Sequence, residues 1–121
     1  MSASDSTVVE SALPLKLLHR GKVRDVYDAG DDLLLMVASD RVSAFDVVMV
    51  QPIPRKGEVL TQISAWWLDQ LEGITAHHLI SVDPEGILER LPALAASRSQ
   101  WARRAMLVQR TEPVLVECVI R

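Results

Sequence analysis

The sequence predicts an α+β domain, in which a largely antiparallel sheet packs against one main helix. Three observations support this prediction. Short β-forming runs are separated by glycine, proline and aspartate, as is typical of hairpins. One longer segment, residues 56–73, repeats its apolar residues at helical spacing. With 121 residues, of which 49% are hydrophobic and 24% charged, the chain can bury the core of a single domain.

The first elements are a predicted hairpin and a buried strand. Residues 1–13 are mostly small or polar, and we expect them to form a flexible tail. The runs 15–21 and 22–30 predict two paired strands. The apolar run 33–39 predicts a strand that is covered on both faces, although a buried helix would show the same pattern.

The middle of the chain holds a loop and the main helix. Residues 39–46 are polar and predict a loop that begins with two good helix-capping residues. Residues 47–54 begin as a strand, which two prolines stop. The helix of residues 56–73 should end at its last glycine, Gly73. The helical positions expected to be buried include Leu60, Ile63, Trp67 and Leu71.

The last third predicts a short helix and two β runs. Residues 83–97 should be helical, with Asp83 as the cap and Pro84 at the first position. Residues 103–121 indicate two strands on either side of a central "TEP".

In the second of these strands, Glu117 and Arg121 share one face and Cys118 lies on the other. An interior strand would have to give the two charged side chains partners, which suggests a functional role. Cys118 is expected to be an inert core thiol.

Composition excludes several classes of protein. The formal charge of −3 argues against a partner that binds by bulk charge, so neither nucleic acid nor an anionic membrane is expected. The longest apolar run, residues 33–38, is too short to cross a bilayer. The N-terminus lacks the basic and apolar regions of a secretory signal, and one cysteine permits no internal disulfide. We therefore expect a cytoplasmic protein.

The tip of the first hairpin, "GKVR" at residues 21–24, is the first candidate site. Its glycine lets the backbone approach a ligand closely, and the turn amides, an ammonium and a guanidinium can surround a polyphosphate. On spacing alone, cations that simply face water are the more frequent explanation of such a turn.

The loop "SDRVSAFD" is the second candidate, with Asp40, Arg41, Ser43 and Asp46 as its polar side chains. The alternative is a capped helical turn that contains a local Asp–Arg ion pair.

Two further groups of polar residues are weaker candidates. Arg55 and Lys56 precede the main helix, where cations oppose the helix dipole; a bound anion or exposure to solvent could offset this. The adjacent His77 and His78 have no ligand-spaced partner, so no metal site is expected in these residues.

Six segments, taken together and in order, resemble one family. They are "GKVRDVYD", "ASDRVSAFDVVM", "IPRKGEVLTQISAWWLDQL", "HHLIS", "AMLV" and "EPVLVECVIR". From about residue 15 onwards, the chain resembles the N-terminal part of the phosphoribosylaminoimidazole-succinocarboxamide synthases, or SAICAR synthetases, of purine biosynthesis.

The resemblance implies an ATP-dependent, magnesium-dependent ligase that joins carboxyaminoimidazole ribonucleotide (CAIR) to L-aspartate. It also implies that residues 14–121 form an N-terminal nucleotide-binding lobe, similar to the small lobe of ATP-grasp enzymes and kinases.

The family's motifs imply roles for individual residues of this chain. Lys22 and Arg24 would neutralise charge on the transferred phosphoryl group, with Gly21 and Val23 completing a loop over the ATP phosphates. A second group would lie near the adenine base, namely Val108, Gln109, Arg110 and Glu112. Arg121 would contact CAIR, and the loop residues Asp40, Arg41 and Ser43 would lie near the substrates.

Members of the family are usually more than twice as long as this chain. The resemblance therefore implies that the magnesium ligands, and the rest of the CAIR and aspartate sites, lie in a C-terminal lobe outside these residues. We expect a fragment or one part of a split enzyme; the alternative is a stand-alone nucleotide- or phosphate-binding module without catalytic activity.

Overall fold

The computed structural model describes residues 7–121, so residues 1–6 of the expected tail lie outside the described part. The described strands are β1 (Lys16–Arg20), β2 (Arg24–Gly30), β3 (Leu33–Ala38), β4 (Ser43–Ala44), β5 (Val47–Val48), β6 (Leu79–Ser81) and β7 (Ala105–Gln109). The helices are α1 (Lys56–Gln70), α2 (Pro84–Arg90), a 3₁₀ helix (Pro92–Ser97) and α3 (Arg98–Trp101). The main sheet is antiparallel in the order β1-β2-β3-β7-β6, which confirms the predicted α+β class.

One face of the sheet builds the core with the short helices. Tyr27, Leu35 and Leu107 lie beside one another on β2, β3 and β7. They share a buried cluster with Ile87 of α2, Leu94 of the 3₁₀ helix and Trp101 of α3. The predicted helix of residues 83–97 is divided near Pro92, because proline cannot donate the backbone hydrogen bond that would continue α2.

The predicted buried face of α1 is wrong. Leu60, Ile63, Trp67 and Leu71 are all exposed, and Trp67 retains 55% of its accessible surface. The buried residues of α1 are instead Gly57 and Thr61, near its N-terminal end. The spacing of apolar residues predicted the helix correctly, but it does not say which part of the molecule covers an apolar stripe.

Gly57 allows α1 to approach β3 closely. A methyl group at this position would lie 2.2 Å from the carbonyl oxygen of Ala38 and 2.5 Å from Nη1 of Arg104. The absence of a side chain at Gly57 therefore sets the distance between helix and sheet, and with it the width of the space between them.

The expectation of a flexible tail is also wrong for part of residues 7–13. Val8 and Ser11 are buried. The Val8 amide donates to Oδ2 of Asp40 at 2.8 Å, and the Ser11 hydroxyl donates to Oδ2 of Asp25 at 2.7 Å. Two buried carboxylates thus hold this segment against the sheet, an effect that a composition of small polar residues does not reveal.

The predicted final strand is absent from the described residues. Residues 110–121 contain no strand, and every side chain in this range is exposed, including Glu117, Cys118 and Arg121. A β-forming run becomes a strand only when a neighbour takes up its backbone hydrogen bonds, and no described strand pairs with this run. Cys118 is accordingly not a core thiol in this structure.

The loop of residues 39–46 contains structure that its composition did not predict. β4 and β5 form a small separate hairpin, and the residues between them, Phe45 and Asp46, both have positive φ values of 50° and 63°. A two-residue turn with two positive φ angles matches the right-handed twist of the flanking strands.

β5 covers only the start of the run 47–54, and β6 was not predicted.

Candidate functional site

The tip of the first hairpin is a tight two-residue turn. The Gly21 amide donates to the Arg24 carbonyl at 2.7 Å, which leaves Lys22 and Val23 at the apex. A methyl group on Gly21 would lie 3.2 Å from the same carbonyl oxygen, closer than an ordinary contact. The glycine therefore suits a backbone that turns closely here.

Three consecutive carbonyl groups of this tip are held by one segment of the chain. The Arg41 guanidinium donates to the carbonyl oxygens of Gly21 at 2.9 Å and Lys22 at 2.8 Å. The amide and hydroxyl of Ser39 both donate to the Val23 carbonyl, at 2.9 and 2.8 Å. The loop of residues 39–46, which was the second candidate site, therefore supports the hairpin tip of residues 21–24, which was the first.

The tip overhangs a cleft of about 450 Å³ between the sheet and α1. Its floor is apolar, with Val26, Met36 and Met106 side by side on three neighbouring strands. Its rim carries three cationic side chains: Lys22, Arg24 and Lys56. Apolar surface beside a cationic rim suits a ligand with a flat apolar part and an anionic part.

The cations at the rim have defined surroundings. The Lys22 ammonium pairs with Oδ1 of Asp46 at 2.5 Å, and both side chains are at least half exposed. Burial of the imidazole lowers the pKa of His78, and the nearby positive charge of Arg24 lowers it further. Arg55 points elsewhere and pairs with Glu58 on the helix, whereas Lys56 lines the cleft.

Beneath the tip lies a buried carboxylate, Asp25. It accepts hydrogen bonds from Ser11, Arg20 and Arg41. Burial raises the pKa of this carboxyl, but the hydrogen bonds from Ser11 and the two guanidinium groups outweigh burial and lower the pKa below its usual value. Asp25 therefore stays ionised and balances the charge of Arg41 under the turn.

A second buried carboxylate, Asp40, ties α1 to the sheet. Its Oδ1 lies 2.7 Å from Nη1 of Arg104 and accepts from the Gly57 amide at 2.9 Å. Burial raises the pKa of Asp40, and the contacts with Arg104, Gly57 and Val8 more than offset this, so the pKa is lowered. The local Asp–Arg pair considered above does not form, since Asp40 pairs with Arg104 and its neighbour Arg41 with Asp25.

The residues expected near adenine lie at the other end of the sheet. Val108 and Gln109 end β7, and Gln109 is paired with Leu33. The hairpin tip lies beside Ala38, five residues further along β3, a separation of about 16 Å at the usual rise per residue. Val108 is buried, whereas Gln109, Arg110 and Glu112 are exposed.

The expected substrate-binding residues are not gathered at one place. Asp40 and Arg41 are buried in the two networks described above, and Ser43 is half-buried in β4. Arg121 is exposed in a segment without regular structure. Within residues 7–121 no three histidine, cysteine or acidic side chains are grouped as a metal site made by the protein alone would require.

Sequence reasoning missed three residues that build the site. Ser11 and Arg104 supply partners for the buried aspartates, and Thr61 donates from α1 to the Arg104 carbonyl at 3.1 Å. Arg104 lies 64 residues from Asp40 in sequence, so no local pattern links the two. A buried aspartate needs a partner, and this requirement was the available signal.

Comparison with known proteins decides the family. The sequence profile of the SAICAR synthetase family matches residues 17–121. The chain belongs to the SAICAR synthetase family. Phosphoribosylaminoimidazole-succinocarboxamide synthase of Desulfosudis oleivorans is 54% identical over 97% of the chain, and that of Methylibium petroleiphilum is 50% identical over all of it.

Solved structures agree with this assignment. SAICAR synthase from Saccharomyces cerevisiae, complexed with SAICAR, superimposes with a TM-score of 0.79 at 38% identity and covers 86% of the chain. The match spans 37% of the yeast protein and 39% of each of the two bacterial relatives. The chain thus corresponds to a little over a third of a SAICAR synthetase. No helix in residues 7–121 is both long enough and apolar enough to span a membrane.

Proposed function

We propose that this chain is the ATP-binding part of a SAICAR synthetase, which forms an amide from CAIR and L-aspartate at the expense of ATP. One observation carries the proposal. The Gly21–Arg24 tip, with carbonyls held from below, overhangs a cleft with an apolar floor and a rim of three cations. Phosphates under the tip, and a sugar and base that extend along the apolar floor towards the end of β7, would match the parts of ATP.

The reaction requires the protein to neutralise charge on the transferred phosphoryl group and does not require a nucleophile from the protein. A carboxylate is a poor electrophile, and transfer of a phosphoryl group to it makes a good leaving group that an amine can displace. Lys22 and Arg24, with the turn amides, would position the transferred group and stabilise its charge. Lys56 lines the same cleft and adds a third cation to this role.

The other site residues have proposed roles that differ with their position. Val108, Gln109, Arg110 and Glu112 lie at the end of the sheet where an elongated nucleotide would place its base. Ser43 and Arg121 are accessible and are proposed to face CAIR. Asp40 and Arg41 are buried, and we assign them the support of α1 and of the hairpin tip rather than direct substrate contact.

The remaining partners are proposed from the family. Magnesium, L-aspartate and most of CAIR would be held by sequence that corresponds to the other three-fifths of the relatives. Within residues 7–121 no group of three histidine, cysteine or acidic side chains is available to hold the metal. We propose that the enzyme is cytoplasmic, because ATP and the two metabolites are available in the cytoplasm.

The test is a reconstitution of activity. Residues 1–121 are assayed for ATP- and aspartate-dependent SAICAR formation, by themselves and joined to the remaining sequence of the 54% identical relative. We expect no turnover by the chain itself, because the metal and aspartate sites are missing, and turnover by the joined protein. An inactive joined protein that still binds ATP would instead favour a stand-alone nucleotide-binding module.

A further inference from the structure

Arg41 lies directly beneath the hairpin tip and is 8% exposed. Its guanidinium contacts four acceptors that come from three parts of the chain. These acceptors are the carbonyl oxygens of Val9, Gly21 and Lys22 and the Asp25 carboxylate. The planar, forked geometry of a guanidinium suits several acceptors in fixed directions, which a lysine ammonium cannot reproduce.

The direction of these hydrogen bonds determines where the turn amides point. In a trans peptide the N–H group points away from the preceding carbonyl, and no cis peptide occurs in residues 7–121. Because the carbonyls of Gly21 and Lys22 point at Arg41, the amides of Lys22 and Val23 point away from it. Two consecutive amides on the outer side of a turn form an anion-binding arrangement.

We propose that Arg41 is a positioning residue for the triphosphate of ATP: it fixes the Gly21–Val23 turn so that two backbone amides face the phosphates. This inference rests on the proposed ATP-binding function and deepens it. Arg41 does not itself touch the nucleotide. Ser39 completes the arrangement, because its amide and hydroxyl hold the Val23 carbonyl in the same way.

The chain offers a matched control for Arg41. Arg20 donates to the same Asp25 carboxylate at 3.1 Å and to the Ser11 carbonyl at 2.6 Å. None of its hydrogen bonds in the described structure goes to the carbonyls of the turn. Arg20→Lys therefore disturbs the carboxylate network while it leaves the support of the turn in place.

The experiment compares the binding of magnesium-ATP with that of adenosine, which has no phosphates, by NMR titration of the 121-residue chain. We expect Arg41→Lys to weaken ATP binding about tenfold, the equivalent of one charge-assisted contact. Adenosine binding should change less than twofold, and Arg20→Lys should leave both ligands near their wild-type affinities. A purely structural role of Arg41 would weaken both ligands together.

Ser39→Ala provides a milder variant if Arg41→Lys does not fold. It removes one hydrogen bond to the turn, and we expect a threefold loss of ATP affinity with unchanged adenosine affinity. Wild-type ATP affinity in the folded Arg41 or Ser39 variant, or parallel losses for ATP and adenosine, would overturn the positioning role while the proposed function stands. Failure of the unmodified chain to bind ATP would overturn the proposed function, and this inference with it.

Discussion

At the scale of single residues, Asp25 and Asp40 organise the surroundings of the hairpin tip. Asp25 anchors Arg41 beneath the turn, and Asp40 joins Arg104 to the Gly57 amide in the first turn of α1. Neither carboxylate is exposed. Buried ionised groups are tolerated where they are paired and hydrogen bonded, so each aspartate fixes several neighbours at once.

The stability of the chain should therefore fall in acid. The pKa values of Asp25 and Asp40 are lowered in the folded chain, so their contribution is complete above the ordinary carboxyl value of about 3.9 and is lost as the pH falls through the lower folded values. Urea unfolding between pH 7 and pH 2 should show a free energy of unfolding that declines below about pH 4. A decline that is complete above pH 5 would contradict this account.

Removal of the Asp40 charge should be costly at neutral pH. Asp40→Asn removes the charged partner of a buried guanidinium, that of Arg104, and breaking such a pair typically costs about 3–5 kcal/mol. The exposed Asp69 on α1 is a matched control, and Asp69→Asn should change the free energy of unfolding by less than about 0.5 kcal/mol. Equal effects of the two substitutions would refute a structural role for Asp40.

Lys22 is the residue whose loss should most directly affect nucleotide binding. Lys22→Ala removes one charge-assisted contact, worth about 1.5–3 kcal/mol, from the ATP complex, and the fold should remain intact. ATP titration of the chain measures this loss. Arg55→Ala removes an exposed cation that does not line the cleft, so the ATP affinity of this variant should match that of the unmodified chain. Normal ATP affinity in Lys22→Ala would eliminate the proposed role.

At the scale of elements, local patterns predicted most strands and helices but not what covers them. The first hairpin, β3 and the N-terminal cap of α2 follow from alternation, turn residues and Asp83 before Pro84, all of which act over a few residues. The predicted end of α1 at Gly73 is wrong, since the helix ends at Gln70 with Leu71 as its cap. Partners that are distant in sequence determine which face of α1 is buried. They also determine whether residues 110–121 form a strand. The same holds for the site, whose turn was recognisable but whose support by Arg41 was not.

Two tryptophans test the observed placement of the core. Trp101 is fully buried and its indole N–H donates to the Leu94 carbonyl at 3.0 Å, whereas Trp67 is 55% exposed. Trp101→Ala should cost about 3–5 kcal/mol. Trp67→Ala should cost clearly less than Trp101→Ala in the 121-residue chain, because more than half of the Trp67 surface stays in contact with water. Denaturant unfolding of both variants measures the difference, and a larger cost at Trp67 would show that the main helix covers the core after all.

At the scale of the whole molecule, most of the exposed large apolar side chains of residues 7–121 are grouped in three segments. They lie on α1, in residues 45–50 and in residues 114–120, and include Phe45 and Val50 with essentially complete exposure. Exposed apolar surface of this extent marks contact with another part of a protein. The relatives are more than twice as long as the matched region, and their additional sequence is the proposed cover.

The most direct test of this account is an NMR titration of the 121-residue chain with magnesium-ATP, read at every backbone amide and methionine methyl group. We expect the largest shifts at the amides of Lys22 and Val23 and at the methyl groups of Met36 and Met106. These atoms line the tip and the floor of one cleft. Shifts confined to the surface around His77, or no shift at the hairpin tip, would contradict the assignment of this cleft to ATP.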